Sequence, residues 1–208
     1  IAYLKTAAAI ESDVIKNDLL FESAKYGITY TDDLKDFYEV YMAGSTDEDN
    51  NKVITESYNK LLTVAKGETS PKFVNYENYK GGTTSLDDLK GKFVYVDVWA
   101  TWCGPCKAEI PFLKEVEKQY HGKNIEFVSL SVDKAADHGK WKTMIAEKEL
   151  GGIQVFADKS WESDFVQDYL IKGIPRFILI DPQGNIVSSN APRPSSPKLI
   201  EMFNENNI

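Results

Sequence analysis

Phe93-Val94-Tyr95-Val96-Asp97-Val98-Trp99, followed at once by Ala100-Thr101-Trp102-Cys103-Gly104-Pro105-Cys106, decides how this chain is built. The first seven residues are nearly all β-branched or aromatic, which predicts a strand buried on both faces. Asp97 is the one polar residue in it. Residues 107–120 follow with Ile110, Leu113, Val116 and Tyr120 on one stripe, which predicts an amphipathic helix. Pro111 interrupts that helix and predicts a kink. The cysteines are the only 2 in the chain and lie at the strand-to-helix junction. A bridge between residues three apart closes almost no chain, so it would hardly stabilise a fold. The pair therefore reads as a redox dithiol.

The spacing assigns different work to the two thiols. Cys103 stands where the helix begins, and the free N–H groups and dipole there favour a thiolate. It is the expected nucleophile, and Cys106, one turn deeper, is the expected resolving thiol. Gly104 lets the backbone bend and a partner approach closely, while Pro105 fixes φ in the first turn. Asp97 is expected to be buried nearby with a raised pKa, able to take or return the Cys106 proton; the alternative is a hydrogen-bonded core acid. Glu109 falls on a neighbouring helical face and reads either as a second proton relay or as an acid that stabilises the first turns. A zinc half-site needs four ligands. His121 and His138 do not have finger spacing and read as surface residues, so no metal is expected.

The composition is that of an ordinary globular chain: 208 residues, 42% hydrophobic, 27% charged. That length allows one large domain or two smaller ones. The net charge of −8 argues against nucleic acid as a partner. No apolar run approaches the roughly 18 residues that span a bilayer, so a membrane link would need an N-terminal anchor outside this sequence. The chain begins at Ile1 with no basic-then-apolar leader, so targeting is not legible in it. Nothing in it sets an oligomeric state, and no glycine-rich phosphate loop or other cofactor motif is present.

Along the chain, residues 1–67 read as an all-helical segment, a hairpin or three helices. Tyr3, Leu4, Ala7, Ala8, Val14, Ile15 and Leu19 recur at helical spacing, and Gly27 suits a C′ stop. Thr31-Asp32-Asp33 suits an N-cap before Leu34, Phe37, Tyr38 and Tyr41. Asp47-Glu48-Asp49 reads as a capped loop before a helix carrying Val53, Ile54, Tyr58, Leu61, Leu62 and Val64 and closing at Gly67. A boundary is expected at residues 67–71, leaving 68–208 as a second domain. In it, Gly81-Gly82 predicts a hairpin, and residues 86–91 a short helical turn ending in glycine. Strands are expected at 125–132, 153–156 and 176–180, and helices at 136–150, 161–170 and 198–206. Asp181-Pro182-Gln183-Gly184 matches a type I turn leading to a returning strand at Ile186-Val187. Strands alternating with helices, closed by a hairpin, predict an α/β sheet covered on both faces.

Asp97-Val98-Trp99-Ala100-Thr101-Trp102-Cys103-Gly104-Pro105-Cys106-Lys107 closely resembles the active-site stretch of thioredoxins, and Gly173-Ile174-Pro175 resembles the family's cis-proline turn. Cys106-Lys107-Ala108-Glu109-Ile110-Pro111, the hairpin and the helix at 136–150 resemble the TlpA/ResA branch of membrane-anchored or periplasmic thiol-disulfide oxidoreductases. The resemblance covers about residues 68–208 and implies a thioredoxin-like mixed sheet with an N-terminal β-hairpin and an inserted helix. It implies a cis Pro175 and an Ile174 backbone that pairs with an extended partner. Trp102, Gly104, Pro105, Ile174 and Pro175 would form the substrate surface, and Glu109 would tune the dithiol. The implied partners are proteins bearing disulfides or dithiols and an upstream electron donor, with no cofactor, in the periplasm or cell envelope. Gly104-Pro105 between the cysteines, as in cytoplasmic thioredoxins, leans toward a reductase.

Two rivals differ in kind. A peroxiredoxin would place threonine or serine three residues before its peroxidatic cysteine and proline four before that, where this chain has Ala100 and Val96. A binding module would use Trp102, Ile174 and Pro175 without chemistry, with the helical segment docking a partner; an intact dithiol weighs against it.

Overall fold

The computed structural model describes residues 1–31 and 33–208. They form two compact units, Ile1–Thr63 and Val64–Ile208.

The first unit contains α1 (Ala2–Ala8), α2 (Asp13–Gly27), α3 (Leu34–Gly44) and α4 (Glu48–Leu62). The expectation of two or three helices is corrected, because the first apolar run is not continuous. It breaks at Ile10-Glu11-Ser12, where an extended Ser12 opens α2. Val14 and Ile15 are consequently exposed, Val14 at 81%, and Tyr3 is exposed on α1, while Leu4, Ala7, Leu20, Ala24, Tyr41 and Ile54 are in the core. Gly27 is not a left-handed stop either. It is the last residue of α2, and a Cβ there would lie 3.2 Å from Phe37 Cζ. Asp33 caps α3 by accepting from the Asp36 N–H, and Asp47 caps α4 by accepting from the Asn50 N–H. Asp32, expected to share in the first of these caps, lies outside the described residues. α4 ends at Leu62, short of Gly67, which takes φ +92° in a turn beyond it. Tyr38 and Tyr58 stack with centroids 4.1 Å apart.

The second unit is built on a seven-stranded mixed sheet among the described residues. Its strands are β1 (Tyr76–Asn78), β2 (Thr83–Thr84), β3 (Phe93–Trp99), β4 (Ile125–Ser131), β5 (Ile153–Phe156), β6 (Arg176–Ile180) and β7 (Ile186–Ser188), in the order β2-β1-β5-β4-β3-β6-β7. β3, β4 and β5 run parallel, as connections through helices require, and the hairpin pairs add antiparallel edges. The helices are α5 (Gly104–Gln119), α6 (His138–Lys148), α7 (Asp164–Asp168) and α8 (Pro197–Glu205). This is the thioredoxin-like arrangement that the resemblance implies, with the hairpin on the β5 edge and α6 inserted between β4 and β5.

Some boundaries differ from expectation. α5 begins at Gly104, three residues earlier than its apolar stripe suggests, because Cys103 itself is the N-cap. The expected helix at 161–170 is a 3-10 turn (Ser160–Glu162) and the five-residue α7, split by an extended Ser163. Leu150, expected as the last helical residue, falls beyond the end of α6 and is half-buried. His138 is not a free surface residue: its Nε2 lies 2.9 Å from Glu77 Oε2, and its ring packs against Trp141 and Phe156.

Side chains alternate along β3, so Val94, Val96 and Val98 share one face, and Tyr95, Asp97 and Trp99 the other. α5 and α8 cover the second face. Tyr95, Phe127, Phe177 and Leu179 from the strands meet Leu113 and Val116 from α5 and Leu199 and Phe203 from α8. Phe203 is central: its ring meets Tyr95, Tyr120 and Phe127 at centroid distances of 5.7, 5.0 and 6.3 Å. Phe203→Ala is therefore expected to lower the stability of this unit by about 3–5 kcal/mol. Urea titration followed by tryptophan fluorescence checks it, because Trp99, Trp102, Trp141 and Trp161 all lie in the second unit.

Candidate active site

β3 ends at Trp99 and α5 starts at Gly104, so the connection between them must turn within four residues. Asp133, fully buried just after β4, anchors that turn. Its carboxylate accepts from the Thr101 N–H (2.9 Å), the Thr101 hydroxyl (2.8 Å) and the Ser131 hydroxyl (2.8 Å). The Cys103 N–H donates back to the Ala100 carbonyl. The loop thus delivers Cys103 to the N-cap position of α5, where its Sγ accepts from the Cys106 N–H at 3.1 Å. The two cysteines form a disulfide. Both are buried, whereas the neighbouring Trp102 is 55% exposed and Gly104 and Pro105 are exposed. A partner reaching the disulfide would therefore cross Trp102-Gly104-Pro105. The Trp102 ring has Trp161 beside it, with centroids 6.5 Å apart.

The Ile174-Pro175 peptide bond is cis. Val98 pairs with Arg176 across β3 and β6, so Ile174 and Pro175 emerge at the end of the sheet from which the dithiol loop leaves. Both are half-buried.

Asp97 is buried on the face that α5 covers. It heads a polar row across three strands, because Asp97 pairs with Ser129 and Ser129 with Gln154. Asp97, Trp99, Ser129 and Gln154 line a small cavity of ≈ 10 Å³ together with Cys106 and Glu117 of α5. Burial, reinforced by the negative charges of Glu109 and Glu117, pushes the Asp97 carboxyl up to about 8. Cys106 and a carboxyl that holds its proton near neutral pH thus share one enclosure, as general acid–base exchange between them requires.

Glu109 is placed differently. It is buried, and its carboxylate oxygens accept from the Ser195 N–H and hydroxyl, both at 2.9 Å, with Arg193 Nη1 at 3.5 Å. It ties α5 to the loop before α8 and bears on Asp97 through space. Glu117 and Asp133 are the residues that sequence reasoning missed. Cys106, Ile110, Leu113 and Glu117 follow i, i+4, i+7, i+11 spacing, so the helical period alone put Glu117 on the Cys106 face. Asp133 carries no such pattern, since its partners come from a loop of another element. Among the described residues, no three His, Cys, Asp or Glu side chains are grouped to hold a metal ion.

The redoxin family model matches residues 65–201. The thiol-disulfide oxidoreductase ResA of Bacillus subtilis is 30% identical over 127 residues, which cover 60% of this chain and 66% of ResA. The chain thus spans just under two thirds of that relative. A solution structure from Bacteroides vulgatus, described as a thiol-disulfide oxidoreductase, has 51% identity over 65% of this chain and 86% of its own, with a TM-score of 0.59. The crystal structure of the thioredoxin domain of another B. vulgatus thiol-disulfide oxidoreductase has 31% identity over 68% and 97%, with a TM-score of 0.61. The chain belongs to the redoxin family, and its second unit is of the TlpA/ResA type.

The raised Asp97 carboxyl sets a pH dependence of stability. Folded Asp97 stays protonated up to about pH 8, whereas in the unfolded chain it ionises near 3.8. The folded state thus loses stability through this group as pH rises between those values, by up to about 1.4 kcal/mol per unit. Asp97→Asn removes the loss. The variant's stability gain over the parent should grow from pH 4 to pH 8 and level off above; a gap independent of pH would show that Asp97 ionises as readily folded as unfolded.

Proposed function

We propose that this protein is a thiol-disulfide oxidoreductase of the cell envelope that reduces disulfides in exported proteins. The observation that carries the reading is the disulfide itself. One cysteine caps a helix N-terminus, and the other shares a cavity with a buried, protonatable carboxyl. The resemblance to TlpA/ResA proteins supports the envelope location, and Gly104-Pro105 between the cysteines supports the reducing direction. Residues 68–208 are taken as the catalytic domain and residues 1–67 as a separate helical domain.

In the reduced protein, the Cys103 thiolate attacks one sulfur of a substrate disulfide. A mixed disulfide forms, and the substrate's other sulfur leaves as a thiolate and takes a proton from solvent. Cys106 then gives its proton to the Asp97 carboxylate, and its thiolate attacks Cys103 Sγ. The Cys103–Cys106 disulfide re-forms, the second substrate sulfur leaves, and two electrons have passed to the substrate. A donor dithiol restores the starting state by the reverse exchange. Trp102, Gly104, Pro105, Ile174 and Pro175 receive the substrate strand, and the Glu109 charge adds to the burial that raises the Asp97 pKa.

Cys106→Ala should accumulate client proteins joined to Cys103 as mixed disulfides, released by dithiothreitol and identifiable by mass spectrometry; Cys103→Ser should trap none. If Cys103→Ser preserves the cellular phenotype, the chain is a binding module instead. Equilibration with glutathione buffers should give a potential near that of thioredoxin, about −270 mV, and a value near −120 mV would overturn the reducing direction.

A further inference from the structure

At neutral pH a carboxyl with a pKa of about 8 is mostly protonated. Before Asp97 can accept the Cys106 proton, it must give up the one it holds. Its chain neighbours Val96 and Val98 are apolar and fully buried. The nearby Glu109 carboxylate is occupied by Ser195 and Arg193. A route out must therefore run through the cavity.

Three buried polar atoms, Asp97 Oδ1, Trp99 Nε1 and Gln154 Oε1, have no hydrogen-bond partner among the described residues. All three residues line that one cavity, which has room for about one bridging water. Lys114, Glu117 and Gly151 line it as well. The same three also border an open groove of ≈ 550 Å³ on the outside, beside His121, Lys123 and Glu149. Glu117 is half-buried, at the wall between the two spaces. The backbone is shaped to receive it. A Cβ at Gly151 would run into Glu117 Oε2, and one at Gly152 would lie 3.0 Å from Oε1. The Lys114 Nζ is turned to the Lys148 carbonyl at the end of α6.

We propose that Glu117 is a relay that carries the Asp97 proton from the buried cavity to the outer groove, freeing Asp97 to deprotonate Cys106. The proposal rests on the thiol-disulfide exchange proposed above. Asp97 gives its proton across the cavity to Glu117 and becomes a carboxylate. Glu117 passes it to solvent or a buffer base in the groove and returns to its own carboxylate. Asp97 then takes the Cys106 proton. Only O–H and S–H bonds change, and no electrons move. Burial, partly offset by Lys114 and Lys80, pushes the Glu117 carboxyl up to about 7, close enough to Asp97 for a proton to pass between them. The other charged group acting on Asp97 is Glu109 from α5; Tyr95, on the same strand, is itself acted on by Asp97, Glu109 and Arg193 from the loop before α8. Ser129 and Gln154 are its neutral neighbours on β4 and β5.

The test uses the full chain, pre-reduced and mixed with a disulfide peptide. Closure of Cys103–Cys106 is followed by stopped-flow tryptophan fluorescence across pH 5–9, and Asp97 is titrated by carboxyl-labelled NMR. Glu117→Gln should slow the closing phase at pH 7 by roughly tenfold or more. It should also lower the Asp97 pKa, because a like charge is gone, and leave the melting temperature unchanged or higher. Glu117→Ala should be slow in the same way and should recover in proportion to added formate, while the parent is insensitive to it. An unchanged or faster closing phase in Glu117→Gln overturns the relay, and so does a slow phase that formate does not restore. If the parent itself performs no exchange, the underlying reading fails instead, and the two failures are distinguishable.

Discussion

A carboxyl on a strand buried on both faces is the constraint around which the second unit is arranged. Asp97 stands in the middle of β3, between a parallel neighbour, β4, and an antiparallel one, β6, beneath α5. An ionised acid there would be far from water, so the fold keeps it protonated over most of the neutral range. The register supplies what polarity it has: Ser129 and Gln154 continue the row into β4 and β5, while Phe177 occupies the paired position on β6. The same face is otherwise filled by Tyr95, Phe127 and Phe203, which exclude solvent from it.

The dithiol exploits a contrast within one helical turn. Cys103 lies at the N-cap, where unpaired N–H groups and the helix dipole favour a thiolate. Cys106 lies in a closed cavity beside two carboxyls, where negative charge is opposed. One sulfur is thereby suited to leave or attack as an anion, and the other to keep its proton until a base is ready. Groups whose surroundings push their proton affinities apart can divide the roles of nucleophile and resolving thiol between them. The division depends on the exact path of the preceding loop, and the buried Asp133 carboxylate, held by Thr101 and Ser131, keeps that path.

Much of this is visible in the residues alone. The apolar run through Trp99, the pair of cysteines and the stripe after them identify strand, loop and helix, and Asp97 is conspicuous as the one acid in the strand. Local signals of this kind are read through periods of two and 3.6 residues. What depends on long-range pairing is not visible. That Ser129 and Gln154 stand beside Asp97 follows from strand register, which no single segment encodes. Asp133 and Ser195 matter through partners 32 and 86 residues away. In the helical unit the apolar spacing misleads in another way. Tyr3, Val14 and Ile15 keep helical spacing with true core residues, but the break at Ser12 rotates α2 relative to α1 and turns Val14 and Ile15 outward.

The elements that go beyond the shared sheet and α5 have a physical place in this scheme. α6 is clamped to the sheet edge by Trp141, which meets Phe156 at 5.1 Å and Tyr79 of the β1–β2 turn at 6.1 Å. Glu77 of β1 engages both His138 and Lys142 on the same helix. The hairpin and α6 are thus held to each other and to β5. The chain that leaves α6 runs through Leu150 and Gly151, which close the cavity over Asp97, Cys106 and Glu117. Burial is the largest cause of the raised Asp97 carboxyl, so whatever closes the cavity also sets that proton affinity. The inserted helix therefore bears on the site without touching the sulfurs: the segment that leaves it helps enclose the buried carboxyl beside Cys106.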